Sequence, residues 1–324
     1  MSLRSTKSSQ TIVFHHDTLS FRGSMRAVYD YAHALELLGY TCILSIVESP
    51  SPTSFSVYKW LANRFTVVFD PASLPKTFDV LYYITHGEPN YIWSIIARTL
   101  ASKAGARLAV HCVFSMEHPW GDICAAVSEQ IATKFKQTRF VPHMIQPWIP
   151  SLIQPLPYDY RNCMVFGHYG GENSFDIEWV KETIREIVRK NPWIRFLFMN
   201  SEPFDDHPSI LFLRGTSSVE FKRRFIVTTD AMIMPESLGH TFGLAMTEFM
   251  MAGKPIIVYN ENVWNDAHLQ LLGSKARLFS NPRQFQEHLL STKKKEYVDY
   301  RNILSQYTPS KVIKQFEETF LIQD

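Results

Sequence analysis

The sequence predicts an α/β protein that is built from two doubly wound parallel-sheet domains. The chain has 324 residues, and at about 100–200 residues per domain this length favours two domains over one. Short β-branched or apolar runs alternate with longer amphipathic runs, which is the pattern of βαβ units. Five prolines within residues 142–158 interrupt the alternation, because proline lacks the donor that interior helix or strand pairing needs.

The first half of the chain shows the alternation from residue 11 onward. Apolar side chains recur at helical spacing from Met25 to Leu35, and Gly39 follows where this helix should end. We therefore predict a helix over residues 24–38. The other predicted helices span 91–102 and 128–136, and the predicted strands span 11–15, 41–47, 65–69, 79–84, 107–114 and 138–142.

The alternation resumes after the proline-rich segment, so we place the domain boundary at residue 150. The predicted domains are 1–150 and 151–305, followed by a C-terminal helix within 306–324 that could pack back on the first domain. Thr308 and Pro309 suit the N-cap and the first position of that helix. The second domain has predicted strands at 163–166, 194–199, 210–213, 230–234 and 255–259, and predicted helices at 175–190, 217–224 and 243–251.

Charge, cysteine content and the length of apolar runs argue against several classes of protein. The 33 basic and 31 acidic residues give a net charge of +2, which is too balanced for a nucleic-acid-binding surface. The four cysteines form no C-x-x-C pair, so neither a zinc site nor a disulfide framework is indicated. No apolar run reaches the roughly 20 residues that cross a bilayer. We expect a cytoplasmic protein; peripheral membrane contact and the oligomeric state stay open.

The loop over residues 15–24 joins the first predicted strand to the first helix. It ends at Arg22 and Gly23, and a glycine at a helix start lets the backbone come close to a ligand. The N-terminus of the helix offers unpaired N–H groups and a partial positive charge that suit a phosphate. A glycine before a helix is also typical of a simple turn, and the dinucleotide fingerprint G-x-G-x-x-G is absent.

The most informative segment runs from residue 234 to residue 257. It predicts a strand, a glycine-containing loop, a helix that opens near Phe242 or Gly243, and a second strand. The helix carries a single carboxylate, Glu248, among apolar side chains. A buried carboxylate needs a partner, and ribose hydroxyls would be suitable donors. The alternative is that Glu248 simply faces solvent.

This segment resembles the signature of the retaining glycosyltransferases of family 4, which have the two-domain GT-B fold. Glu248 matches the second Glu of the Glu-x7-Glu motif, Phe242 and Gly243 match its Phe-Gly, and residues 251–256 match the element that follows. His240 stands where the first Glu belongs. The nearest upstream acid, Glu236, lies four residues further back and out of register.

The resemblance extends over residues 11–280. Residues 22–32 resemble the family's glycine loop and first helix, and residues 79–89 resemble a strand that ends in a histidine, here His86. Gly167 and His168 stand where the family has Gly-Arg, and no lysine follows before Lys181. Residues 125–129 and 140–143 also resemble family segments, which lie near the end of the first domain.

The resemblance implies two domains that face a cleft, and transfer of a hexosyl group from a UDP- or GDP-sugar with retention. It implies no metal and no other cofactor. Glu248 would accept hydrogen bonds from the donor ribose, and His86 and His240 would contact the transferred sugar. The residues expected to bind the donor are Arg22, Gly23, Gly167, His168, Thr241, Phe242, Gly243 and Glu248; those expected to take part in catalysis are His86, His240 and Glu248.

The identity of the acceptor is not readable from the sequence, so a glycan, a lipid-linked and a protein-linked acceptor all stay open. The His at position 240 and the His at position 168 also leave room for a non-catalytic module that binds nucleotide sugars or glycans. A nucleotide-sugar epimerase of the same fold is a further alternative. It would need acid and base carboxylates that face the sugar, and no such pair is evident.

Overall fold

The computed structural model describes residues 10–20, 22–171, 173–261 and 264–322. Residues 1–9 and 323–324 of the predicted domains lie outside this part. The chain divides into two compact units, of which the first comprises Met1–Met144 with Pro309–Asp324 and the second comprises Ile145–Thr308. Each unit holds one parallel sheet of six described strands with helices between them. The predicted fold class, two doubly wound parallel-sheet domains, is therefore confirmed.

The sheet of the first unit is built around the buried strand β1. Its strand order is β3-β2-β1-β4-β5-β6, and all described pairs are parallel. The strands are β1 Thr11–His16, β2 Thr41–Ile46, β3 Thr66–Val68, β4 Val80–Thr85, β5 Arg107–Cys112 and β6 Ile123–Ala126; the helices are α1 Gly23–Leu37, α2 Phe55–Ala62, α3 Ile92–Ala104 and α4 Glu129–Lys134, with a 3₁₀ turn at Pro71–Ser73.

The sheet of the second unit is built around β7 in the same way, in the order β12-β11-β10-β7-β8-β9, and its described pairs are also parallel. Its strands are β7 Met164–Tyr169, β8 Ile194–Met199, β9 Ile210–Leu213, β10 Ala231–Met234, β11 Ile256–Tyr259 and β12 Ala276–Phe279; its helices are α5 Glu178–Lys190, α6 Val219–Thr228, α7 Leu244–Met251, α8 Ala267–Leu272, α9 Pro282–Ser291 and α10 Arg301–Leu304, with 3₁₀ turns at Pro150–Leu152 and Gly273–Lys275.

Both sheets reverse their strand order at a central pair. Counted within its own unit, each sheet has the order 3-2-1-4-5-6, so the reversal falls between β1 and β4 in the first unit and between β7 and β10 in the second. Loops that leave the carboxyl ends of such a pair run in opposite directions and leave a crevice where ligands of open α/β sheets bind. The topology thus marks two positions at which functional side chains are expected.

One predicted strand is wrong. Residues 138–142 do not form a strand; the edge strand is β6, and Phe140 makes only an isolated bridge with Ala126. The sequence of β6, Ile-Cys-Ala-Ala, is poor in β-branched residues and gives a weak strand signal. Pro142 ends the pairing of the segment beside it, because proline has no N–H to donate. The prediction also missed α2, α8, α10 and β12.

The last described helix, α11 Pro309–Phe316, continues into a π-helical turn over Glu317–Leu321 and belongs to the first unit. Phe316 is fully buried, with its ring centroid 4.9 Å from that of Tyr31 and 5.1 Å from that of Tyr82. Glu317 accepts a hydrogen bond from the Tyr40 hydroxyl at 2.7 Å. The end of the chain therefore completes the core of the first unit, whereas the sequence prediction placed the start of this segment at residue 306.

We expect Phe316→Ala to lower the free energy of unfolding of the first unit by about 3–5 kcal/mol, because the truncation leaves a cavity among Phe14, Tyr31 and Tyr82. Lys314→Ala is the matched control, since Lys314 lies on the same helix with a side chain that is 76% exposed. Urea unfolding measures both variants. Equal midpoints for the two would show that the C-terminal helix adds nothing to this core.

Candidate functional site

The order reversal of the second sheet brings the ends of β7 and β10 side by side. β7 ends in His168 and Tyr169, and residues 235–243 form the loop that leads from β10 to α7. Asp230, just before β10, accepts a hydrogen bond from the backbone N–H of Val165 at 2.9 Å and so ties the start of β10 to β7. The side chains that follow the two strands are therefore held close together.

Glu236 is the central side chain of this loop. It is only 6% exposed, and its Oε1 atom lies 3.1 Å from Nε2 of His240 and 4.0 Å from Nδ1 of His168. The contact with His240 is at ion-pair distance, although its angle is not that of a straight hydrogen bond. Burial opposes the charged carboxylate, but the neighbouring imidazoles of His240, His168 and His268 outweigh it and hold the pKa of Glu236 below its usual range.

The side chain of His240 lies beside this carboxylate and is 27% exposed. Burial alone would lower the pKa of its ring, but the charge of Glu236, with a smaller contribution from Asp176, raises it above the ordinary value. The structure records no hydrogen bond from Nδ1 of His240 to a described residue. His240 can therefore carry a positive charge and offer one further N–H.

His168 is fully buried, and protein atoms surround its ring. Its Nδ1 lies 3.0 Å from the carbonyl oxygen of Ile233, and its Nε2 lies 3.2 Å from Oγ of Ser174. Because a carbonyl only accepts, Nδ1 must carry a proton. Burial lowers the pKa of His168 and favours the neutral ring, whereas the charge of Glu236 opposes this effect. Its contacts join β7, β10 and the loop at Ser174.

His268, on α8, supports the backbone of the loop. Its Nδ1 lies 3.2 Å from the backbone nitrogen and 3.3 Å from the carbonyl oxygen of His240, so it accepts from the N–H or donates to the carbonyl according to the tautomer. Burial, with a further contribution from His240, lowers the pKa of His268 to about 4. Asp176 holds the loop from another side, because it accepts hydrogen bonds from the backbone N–H and the hydroxyl of Ser237.

The predicted donor residues Thr241, Phe242 and Gly243 lead into α7. Thr241 and Phe242 are buried, and the Phe242 ring packs 5.2 Å from that of Tyr307. Gly243 is the N-cap, with a φ of +89°, and places no side chain on the first N–H groups of the helix. Glu248 lies one turn further along α7 and is partly exposed.

Gly167 lies within β7 where the helix layer comes close. A Cβ atom there would meet Cγ2 of Thr229 at 2.5 Å and Cζ of Phe249 at 3.3 Å. Phe249 belongs to α7, so a side chain at this position would push that helix and Thr229 away from the sheet. The observed reason for glycine here is therefore close packing of strand and helix.

In the first unit, polar side chains lie near the ends of β1 and β4, where the strand order of its sheet reverses. His16, the last residue of β1, accepts the backbone N–H of Thr18 at Nδ1 and contacts Oγ of Ser24 in α1 through Nε2 at 3.1 Å. Burial is the main cause that lowers the pKa of His16 to about 4. Arg22 and Gly23 are exposed at the start of α1, where Arg22 is the N-cap and offers no side-chain cap.

His86 follows β4, beside the end of β1. Its carbonyl oxygen accepts the backbone N–H groups of Phe114 and Ser115, and its ring lies 5.0 Å from that of Phe114. The next residue, Gly87, has a φ of +123°, and a Cβ atom there would overlap the Ser115 carbonyl. Partial burial, with a smaller contribution from Arg22, lowers the pKa of His86. The exposed imidazole is thus held on a fixed backbone.

The structure thus brings His168 and His240 together around Glu236, which sequence reasoning had set aside. Glu236, His268 and Asp176 were not among the predicted site residues. The only sequence signal for Glu236 was its spacing of four residues from His240, a spacing that matters only once the loop turns. No group of three or more His, Cys, Asp or Glu side chains suited to a metal occurs among the described residues. None of the described helices has the length and apolar character of a membrane span.

No family model matches the chain, and no curated protein matches it. Several solved structures are similar to the chain over most of its length. HepE of Anabaena in complex with UDP and glucose has a TM-score of 0.71 at 13% identity, over 96% of this chain and 99% of that one. A glycosyltransferase of Rickettsia africae has a TM-score of 0.67 at 13% identity, over 96% and 98%. The lipopolysaccharide outer core galactosyltransferase WaaB has 0.59 at 12%, over 95% and 98%. These likenesses show the GT-B fold.

We expect Gly167→Ala to lower the free energy of unfolding of the second unit by about 1–3 kcal/mol, because the added methyl group collides with Thr229. Thr229→Ser removes the methyl group concerned and keeps a hydroxyl for the Ile226 carbonyl. The double variant should regain most of the loss. Thermal melts of the two single variants and the double variant measure this; a double variant no more stable than Gly167→Ala would contradict the packing explanation.

Proposed function

We propose that the chain is a glycosyltransferase that moves a hexosyl group from a UDP- or GDP-sugar to a hydroxyl group of a glycan, lipid-linked or protein-linked acceptor. In this proposal the reaction retains the configuration of the anomeric carbon and needs no metal ion. The sequence resemblance to the retaining glycosyltransferases of family 4 supplies these finer points. The structure supports the coarser statement through its fold and through the loop between β10 and α7.

The observation that carries the proposal is the position of that loop. It leaves β10 at the order reversal of the second sheet and ends at the start of α7, where Gly243 leaves the first N–H groups of the helix without a side-chain cap. A helix start at this position suits the diphosphate of a sugar nucleotide. As the bond between the sugar and the diphosphate breaks, the same N–H groups would stabilise the charge that develops on the leaving group.

Glu248 is the residue we assign to the donor ribose. It lies on α7 about one turn beyond the diphosphate position and is partly exposed. A carboxylate there can accept two hydrogen bonds from vicinal hydroxyls. The complexes of HepE with UDP and glucose and with UDP-glucose support a nucleotide sugar as the ligand class. The roles expected for Arg22, Gly23 and His86 of the first unit stay predictions.

The second candidate is a module of the same fold that binds a nucleotide sugar without turnover. One observation favours it. Lys181, the first lysine after His168, places its Nζ 3.2 Å from the carboxylate of Glu178 on α5, and His168 itself is fully buried. Neither side chain is set out as a cation for a diphosphate. Turnover separates the two candidates, because only an enzyme releases nucleoside diphosphate.

The experiment that tests the proposal is a thermal-shift panel with UDP, GDP, ADP, CDP and dTDP, with and without EDTA. A ligand that binds only the native state raises stability by RT ln(1 + [L]/Kd), about 2.7 kcal/mol at one hundred times Kd. We expect UDP or GDP to raise the melting temperature, and EDTA to leave the shift unchanged. A flat panel would overturn donor binding. A shift that EDTA abolishes would overturn metal independence. Release of the selected nucleotide from its sugar donor then tests turnover.

We expect Glu248→Ala to weaken binding of the selected nucleotide by about 1–3 kcal/mol, which is the scale of a hydrogen bond to a charged group. Glu182→Ala is the matched control, because Glu182 is an exposed carboxylate on α5 of the same unit. Isothermal titration calorimetry measures both. Wild-type affinity in the Glu248 variant would rule out its role at the ribose.

A further inference from the structure

Four titratable side chains of the second unit meet at one point. Glu236 and His240 come from the loop after β10, His168 from β7 and His268 from α8. Three of the four are almost fully buried, and only His240 has an appreciably exposed side chain. A carboxylate in such a place is costly unless an opposite charge accompanies it. Protonation of a neighbouring imidazole supplies such a charge when Glu236 is ionised.

Distance and exposure indicate which imidazole carries the proton. His168 donates from Nδ1 to the Ile233 carbonyl, has Ser174 at Nε2, and lies 4.0 Å from Glu236. His268 is almost fully buried and turns Nδ1 toward the backbone N–H and the carbonyl of His240. His240 lies closest to the carboxylate, at 3.1 Å, and has the most exposed side chain of the three, at 27%. The proton therefore belongs to His240.

The other charge that faces His240 is Asp176, in the segment before α5, which holds Ser237 of the same loop. Asp266 acts on His268 and lies further out in the network. Among the described residues, the titratable groups that act on His240 are the carboxylates of Glu236 and Asp176 and the imidazoles of His168 and His268, whose pKa values are lowered by burial. This arrangement favours the protonated ring.

We propose that Glu236 holds His240 as an imidazolium whose free N–H, at Nδ1, donates to a phosphate oxygen of the sugar-nucleotide donor. In this arrangement His240 supplies the side-chain cation of the donor site, and Glu236 is a positioning residue that fixes the ring and its proton. The inference rests on the proposed function, because it takes a nucleoside diphosphate sugar as the ligand.

A phosphate fits this position better than a neutral group. His240 stands three residues before the N-cap Gly243, so its charge and the partial positive charge of the α7 N-terminus act on the same region. Both features favour an anion. An imidazolium also forms a stronger hydrogen bond to an ionised oxygen than to a hydroxyl group.

The first test needs no ligand and follows the ring protons of His240 by NMR as a function of pH. The wild-type ring should titrate at higher pH than the same ring in Glu236→Gln, because the amide keeps the shape of the side chain and loses its charge. Glu182→Gln, which removes a remote exposed carboxylate from the same unit, should titrate as wild type does. An unchanged His240 titration in folded Glu236→Gln would overturn the pairing.

The second test measures the affinity for UDP-glucose between pH 6 and pH 9, with GDP-glucose in its place if the nucleotide panel selects guanine. The diphosphate of a sugar nucleotide keeps its charge over this range, and a change of affinity well below pH 9, where the base is also neutral, reports on the protein. Wild-type affinity should fall about tenfold as the pH rises through the raised pKa of His240. In Glu236→Gln the fall should move to lower pH, and in Glu182→Gln it should not move.

His240→Lys provides a variant that needs no carboxylate to keep its charge. Its affinity for the sugar nucleotide should stay nearly constant from pH 6 to pH 9, because a lysine remains protonated there. Wild-type binding with no pH dependence would overturn the inference and leave the proposed function standing. Absence of sugar-nucleotide binding by the wild type at every pH would overturn both.

Discussion

The pairing of β7 with β10 is the constraint on which the site of the second unit depends. These strands are not consecutive in the sequence, so their contact is what turns two distant loops into neighbours. Asp230 accepts a hydrogen bond from the N–H of Val165 and so holds the two strands together where the pair begins. Gly167 has no side chain, so Thr229 and α7 pack tightly against β7. The same pairing sets His168 4.0 Å from Glu236. Loss of this register would separate the imidazole from the carboxylate.

Most of the fold could be predicted from the sequence because each unit repeats one physical pattern. Apolar runs such as β4 and β8 are buried on both faces, and amphipathic helices such as α1 and α5 bury a single face. Where the pattern is weak the prediction failed. The strand β6 has too few β-branched residues to stand out, and the chain segment at Phe140 that runs beside it looked more like a strand than β6 did.

The site could be predicted only in part, and the reason is geometric. The start of α7 near Gly243 and the place of Glu248 on this helix follow from the sequence pattern, and the role of Glu248 at the ribose stays a prediction. The loop before α7 has no such period. Glu236 was out of register with the expected carboxylate, and only the turn of the backbone through Gly239 places it against His240. His268 reaches the same loop from α8, and this contact depends on the tertiary fold alone.

The ion pair of Glu236 and His240 contributes to the stability of the folded chain, and to the charge of the site, over one and the same range of pH. The pKa of Glu236 is lowered in the folded chain, so its contribution is present above its unfolded pKa and is lost as the pH falls through the folded value. The pKa of His240 is raised, so its contribution is present below its unfolded pKa and is lost as the pH rises through the folded value. Between these limits the loop keeps both charges. Because each group is the largest electrostatic influence on the other, loss of the Glu236 charge would lower the pKa of His240 and loss of the His240 charge would raise that of Glu236, so the two titrate as a coupled pair.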